Sequence, residues 1–243
     1  MLGNMILDSQ RVNKLLLLLG LSTFGITVPL LGQDSIVYSG EDVSAVIELS
    51  KTIEVVTIRD INTQDVFEIL SKCKKLRVLG LDRYSDSPIK ISKDFSTKVE
   101  FLSINASDLK TVPNWVYQCT NLKRLFLDNN KISTIDSTIK DLTRLEVLDL
   151  AYNKIKKLSQ IEAVNGLDSL TKLSLKGNKK IVLDTKLKNI EKLNLRHVKL
   201  RRKDRRYFKD KFPSIESVCI LNPKYGRYIL YLEISIECSH IYW

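Results

Sequence analysis

The chain has 243 residues, 44% of them hydrophobic, with nine Gly and five Pro. That is enough apolar material for one continuous core, and too little Gly and Pro for a disordered or linker-rich chain. The formal net charge of +11 is lopsided, since residues 1–169 hold 21 basic and 21 acidic side chains, residues 170–228 hold 18 and 5, and the tail adds two Glu. An anionic partner would therefore find the basic end first, through electrostatics that salt screens. Four cysteines (Cys73, Cys119, Cys219, Cys238) and two histidines (His197, His240) make no CxxC pair and no metal-ligand spacing, so zinc and redox motifs are excluded and no cofactor is expected.

Residues 1–32 open with Arg11 and Lys14, followed by Leu15 to Leu19 and no charge until Asp34. A basic start, an apolar stretch and then smaller residues is the layout of a secretory signal, with a cut after Gly32. The rival is a retained membrane anchor, because roughly 18 uncharged residues approach spanning length; Gly20, Gly25, Pro29 and Gly32 speak against a stable span, and a buried soluble segment is the third option. The expected location is outside the cytoplasm, secreted, periplasmic or at the cell surface.

Residues 33–52 read as an N-terminal cap, with Val43, Val46, Ile47 and Leu49 suiting a short amphipathic helix over residues 41–50. From residue 53 a repeat sets in. Leu76-Arg-Val-Leu79-Gly-Leu81 recurs from Val99, Leu122 and Leu145, each 23 residues on. Matching segments begin at Ile53 before them and at Leu170, Ile190 and Ile215 after them, giving eight units over residues 53–221. Apolar residues stand at the first, fourth and sixth positions, and this alternation turns the fourth and sixth inward from a short strand. Asn130, Asn153 and Asn178 at the ninth position are placed to bond backbone groups left unpaired where the chain turns off the strand.

This pattern resembles that of the leucine-rich-repeat family, L-x-x-L-x-L-x-x-N-x-L, matched most closely by residues 122–132 and 145–155. The resemblance implies an α/β fold: a right-handed solenoid of about eight repeats, with a curved parallel sheet on the concave face and an irregular or short helical convex side. The missing cysteine-rich flanking caps of many animal extracellular relatives point to a bacterial exported protein. The ninth position is Ile61, Tyr84, Ser107 or Val198 in the outer units, so irregular turns are expected at both ends, and Ser85-Asp86-Ser87-Pro88 predicts a local bulge. Three residues before each anchor from Leu76 onward stand Cys73, Ser96, Cys119, Leu142, Leu167, Leu187 and Phe212, expected to face the core. Cys73 and Cys119 then sit two repeats apart, roughly 10 Å, too far for a disulfide, whereas a Cys219–Cys238 bridge stays open. Residues 222–243 begin with a turn and continue strand-like, a C-terminal cap for an otherwise open sheet edge.

Function is expected on the outward third, fifth and seventh positions of the strands. The middle carries Phe101 and Phe126 with Arg124, Asp128, Asp149 and the flanking Tyr152, an aromatic centre rimmed by charge of the kind that anchors protein interfaces; ordinary cross-strand pairing explains the same residues without a partner. Further on stand Lys172, Lys176, Lys192 and Arg196. The function expected is recognition of a protein partner by the concave face, without catalysis. Binding of an anionic glycan or lipid surface by the basic end, and structural or adhesive display, are the other two readings; nucleic acid is disfavoured because no recognised binding motif is present. His197 has no nucleophile beside it in sequence, and Asn105-Ala106-Ser107 fits a glycosylation acceptor.

Overall fold

Each apolar triplet delivers one short strand, and the strands stack. The computed structural model describes residues 35–39, 54–59, 67, 70–85, 90–201, 203–204 and 207–219. The strands are β1 (Ser35–Ser39), β2 (Val55–Arg59), β3 (Val78–Asp82), β4 (Phe101–Asn105), β5 (Arg124–Phe126), β6 (Val147–Asp149), β7 (Lys172–Ser174), β8 (Lys180–Ile181), β9 (Lys192–Asn194), β10 (Lys199–Leu200) and β11 (Ser217–Cys219). Nine form one sheet in the order β1-β2-β3-β4-β5-β6-β7-β9-β11, and every pairing is parallel. In each pairing from β2 onward, equivalent repeat positions stand side by side, as Leu79 does with Leu102. The first, fourth and sixth side chains make one buried ladder, Leu122, Leu125 and Leu127 being fully enclosed. Each such side chain contributes about 1.5–3 kcal/mol.

The eight units lie where the anchors put them, but a ninth strand precedes them. β1 pairs with β2 so that Ile36 stands beside Val56 and Tyr38 beside Ile58, the core register positions. The residue at the anchor position of this segment is Gln33, polar where the other units carry an apolar side chain. The terminal segments 1–34 and 220–243, the expected helix over residues 41–50, and most of the expected bulge (residues 86–89) lie outside the described residues.

The convex side is short and irregular, as expected. Four-residue helices cover Lys93–Ser96 and Phe208–Lys211, and 3-10 turns cover Asn114–Gln118, Ser137–Asp141 and Leu158–Gly166. All seven residues three before an anchor are buried. They also hold the return to the strand, since the anchor N–H of Leu122 donates to the Cys119 carbonyl and that of Leu145 to Leu142. Cys73 and Cys119 are free thiols, and burial pushes Cys119 up to about 12, which leaves it inert at neutral pH.

The turns of the first and last units, expected to be irregular, lie outside the described residues; in the unit from Val99 a second left-handed residue, Asp108 (φ 55°), departs from the others. The eighth residue of six successive units, Arg83, Ala106, Asn129, Tyr152, Gly177 and His197, has φ between 49° and 71°. A left-handed residue at the same place thus follows each main-sheet strand from β3 to β9, Asn ladder or not. Asn130 accepts from the N–H of Ser107 and Leu109 while its amide donates to the carbonyls of Ile104 and Leu127. Asn153 and Asn178 repeat this, taking the N–H of Ile132 and Ile155. One unit earlier the Ser107 hydroxyl takes over and accepts from the Tyr84 N–H at 2.9 Å. Tyr84 itself joins Phe67, Phe95 and Trp115 in a buried edge-to-face aromatic cluster.

Replacing Asn153 by Ala orphans the Ile132 N–H inside the core and leaves the Leu127 carbonyl with the Asn130 amide alone. We expect denaturant unfolding to show a loss of about 1–3 kcal/mol. Asn105→Ala is the control and costs less than about 1 kcal/mol, because the Asn105 side-chain oxygen has no hydrogen-bond partner.

Candidate functional site

Strand pleating sends the third, fifth and seventh positions to the concave side, and the parallel register aligns them in columns. In the middle, Phe101 on β4 and Phe126 on β5 stack with ring centroids 4.9 Å apart and planes 20° from parallel. Phe101 is half-buried, whereas Phe126 is only 4% exposed and Val147 beside it 3%. The aromatic pair is therefore a floor with one accessible member. Arg124, directly opposite both Phe101 and Val147, is exposed.

Acidic residues border this floor, Asp128 just past the end of β5 and Asp149 on β6. Asp128 accepts from the Asn129 amide, and Asp149 accepts from the Ala151 N–H at 2.8 Å. Burial pushes the Asp149 carboxyl up to about 6, with the Asp128 charge adding to it and Lys176 working against it. Burial also raises Asp128. The pair is close enough to feel each other, but among the described residues no third His, Cys, Asp or Glu joins them to make a metal site.

Tyr152, 42% exposed, stands at the left-handed eighth position. The Lys176 ammonium lies 5.3 Å over its ring, and Gly177 lies against it so closely that a Cβ there would come within 2.2 Å of the ring. Lys172 and Lys192 are side by side on β7 and β9, and with Lys176 and Arg196 they form a half-buried basic column at the end of the concave face. Arg196 points its Nε at the sulfur of Cys219, 2.9 Å away. Cys219 is disulfide-bonded, and its partner lies outside the described residues.

The ten expected contact residues thus fall into three adjoining zones of one sheet, aromatic, acidic and basic. The buried floor beneath them includes Ser103, Ser174 and Asn194, fifth-position residues whose small or polar character gave no signal. His197 is an exposed turn residue. The glycosylation triplet is closed: Asn105 is half-buried on β4, and the Ser107 hydroxyl is engaged with the Asn105 carbonyl and the Tyr84 N–H.

Comparison with known proteins agrees with this architecture. A family profile described as leucine rich repeat matches residues 97–155 and 120–179. Over 104 residues the chain is 36% identical to the volume-regulated anion channel subunit LRRC8A of Homo sapiens, an alignment covering 39% of this chain and 12% of that protein. Over 122 residues it is 30% identical to the acidic leucine-rich nuclear phosphoprotein 32 family member A of Drosophila pseudoobscura pseudoobscura, covering 50% of this chain and 46% of that one. The chain therefore spans about an eighth to a half of the length of these relatives. Among solved structures, an internalin (inlF) from Listeria monocytogenes superposes with a TM-score of 0.51 at 19% identity, covering 76% of this chain and 54% of that one. TLR13, solved in complex with ssRNA13, gives 0.58 at 21% identity, covering 77% and 29%. Both likenesses concern the fold.

Because the Asp149 carboxyl is raised in the folded state, its contribution to stability is complete below the ordinary carboxylate value and is lost as pH rises through about 6. Asp149→Asn keeps an oxygen for the Ala151 N–H and removes the charge. Relative to wild type, we expect the variant to be about 1–3 kcal/mol more stable at pH ~7.5 and nearly equal at pH ~4, read by denaturant unfolding at both values.

Proposed function

Starting from a chain that belongs to the leucine-rich-repeat family, we propose that it is a non-catalytic module that recognises a protein partner through its concave face. One observation carries this reading: three chemically distinct zones, led by Phe101, Asp149 and Lys172, are held in register on adjacent parallel strands. The solenoid core does not need those side chains, since its ladder is complete at the first, fourth and sixth positions. Anchors of this kind, aromatic or Arg at the centre with charge around them, supply affinity, while the basic column adds orientation and faster encounter.

The accessible anchors are Arg124, Phe101 and Tyr152; Phe126 supports Phe101 from below. We expect a protein captured by the immobilised full chain to be lost, at least tenfold in affinity, with Arg124→Ala or Tyr152→Ala while the melting temperature stays within a degree or two. Phe126→Ala weakens binding and also destabilises the fold by about 3 kcal/mol or more, so it is the poorer probe. Binding that survives both surface substitutions refutes the concave reading.

We also propose that the chain works outside the cytoplasm, either released after removal of residues 1–32 or held by them. The basic-then-apolar start supports this, as does a disulfide at Cys219, since such bonds persist in oxidising compartments. Alkylation of the denatured, unreduced protein followed by mass spectrometry should modify two cysteines, Cys73 and Cys119, and all four after reduction. Four modified cysteines without reduction would remove that support.

A further inference from the structure

One column beyond the Asn ladder, the tenth position of four successive units is lysine: Lys131, Lys154, Lys179 and Lys199. All four are exposed. They stand on the rim where the chain leaves the strands, apart from the concave face, and their backbones are tied from unit to unit. The Lys131 N–H donates to the Leu109 carbonyl and the Lys154 N–H to the Ile132 carbonyl, both at 2.8 Å; the Lys199 N–H donates to the Lys179 carbonyl at 3.0 Å. At one end the column is neutralised, because the tenth residue before it is Asp108, which holds Lys131 in an ion pair at 2.8 Å. Beyond that point no described carboxylate pairs with Lys154, Lys179 or Lys199.

Beside this column lies an open groove of about 680 Å³, lined by Tyr152, Lys154, Lys156, Lys157, Lys179 and Lys180 among others, with no Asp or Glu in its lining. At its edge the small second sheet begins, in which β8 and β10 pair so that Lys180, a lining residue, stands directly beside Lys199 of the next unit. Like charges one strand apart repel. The fold accepts that repulsion here, whereas acids stand beyond it: Asp108 at the far end of the lysine column, and past Lys157 and Val182 the residues Asp184 and Asp204, already engaged by Ser159 and Arg201.

We propose that this lysine groove binds a linear polyanionic glycan, a chain bearing sulfate or carboxylate groups, laid along the solenoid axis across the units that begin at Leu145, Leu170 and Ile190. The charges repeat at the strand spacing, about 4.8 Å, so successive anionic groups on one extended chain meet successive ammonium groups. Two features favour a glycan over a single-stranded nucleic acid. Stacking platforms for bases are missing from the lining: the one aromatic ring, Tyr152, has Gly177 against it and the Lys176 ammonium over it. The lining cations are all lysine, point charges without the bidentate fork that arginine offers to phosphate. The groove shares Tyr152 with the edge of the concave face, but none of its lysines belongs to the concave columns, so either reading can fail alone.

The test is titration of the full chain with heparin fragments, a fully sulfated glycan, at roughly 0.15 M salt and over a salt series. Lys154→Gln/Lys179→Gln/Lys180→Gln removes three exposed charges from the groove. Lys74→Gln/Lys75→Gln/Lys110→Gln removes the same number from elsewhere on the exposed surface. The proposal expects heparin affinity to fall more than tenfold in the first variant and less than twofold in the second, with a shallower salt dependence only in the first. Equal losses in the two variants would reduce the binding to net charge and overturn it. Single-stranded RNA of matched charge, or vesicles containing anionic lipid, binding as tightly as heparin with the same dependence on Lys154, Lys179 and Lys180, would overturn the glycan assignment.

Discussion

A parallel solenoid has to turn every strand back toward the next layer without leaving the turn's amide groups unpaired in its core, and here the solution is a left-handed residue at the same position of six successive units. Arg83, Ala106, Asn129, Tyr152, Gly177 and His197 occupy equivalent places. Only one is glycine and one asparagine, the residues that tolerate this conformation best, so most of these turns carry a cost of roughly 1–2 kcal/mol each. The next residue offsets it. Asn130, Asn153 and Asn178 each bridge two layers by accepting an N–H from the preceding unit and donating to carbonyls of both. The apolar ladder then stacks at constant register because the polar ladder fixes the phase of each turn.

Where the Asn ladder stops, different chemistry takes over the same task. The Ser107 hydroxyl reaches the Tyr84 amide, and Tyr84 places its ring against Trp115 within the aromatic cluster. The first units thus exchange amide bridging for large edge-to-face rings, which bury more apolar area per residue. The additional strand β1 continues the sheet in the same parallel register beyond the first recognisable unit. It follows that the array is more regular in backbone than in sequence.

This explains what could and could not be read from the chain. The inward columns were legible residue by residue, because burial demands Leu, Ile, Val or Phe and the period exposes them; Cys73 and Cys119 fell out of the same register as core residues. β1 was not legible, since its anchor position is Gln33 and a parallel strand needs only backbone groups to pair. The left-handed turns were invisible because Arg, Ala, Tyr and His carry no mark of positive φ. On the concave side, accessibility was not legible: Phe126 looked like an open anchor, but it stacks on Phe101 and is almost completely buried. The lysine column was written in the sequence at period positions, one place past the Asn, and became meaningful only when the fold set Lys154 and Lys179 in a groove without acids and brought Lys180 beside Lys199.

Repeat arrays are often thought of as strings of interchangeable links, to be lengthened, shortened or reordered at will. The contact between Tyr152 and Gly177 makes one joint of this array an exception. The ring of one unit occupies the place where the next unit's Cβ would be, and each of the other five left-handed positions bears a side chain. The units that begin at Leu145 and Leu170 are therefore a matched pair: a recombination that kept every core leucine and every ladder asparagine, but set another unit after Tyr152, would still break the stack. At this joint the heritable element is two units long.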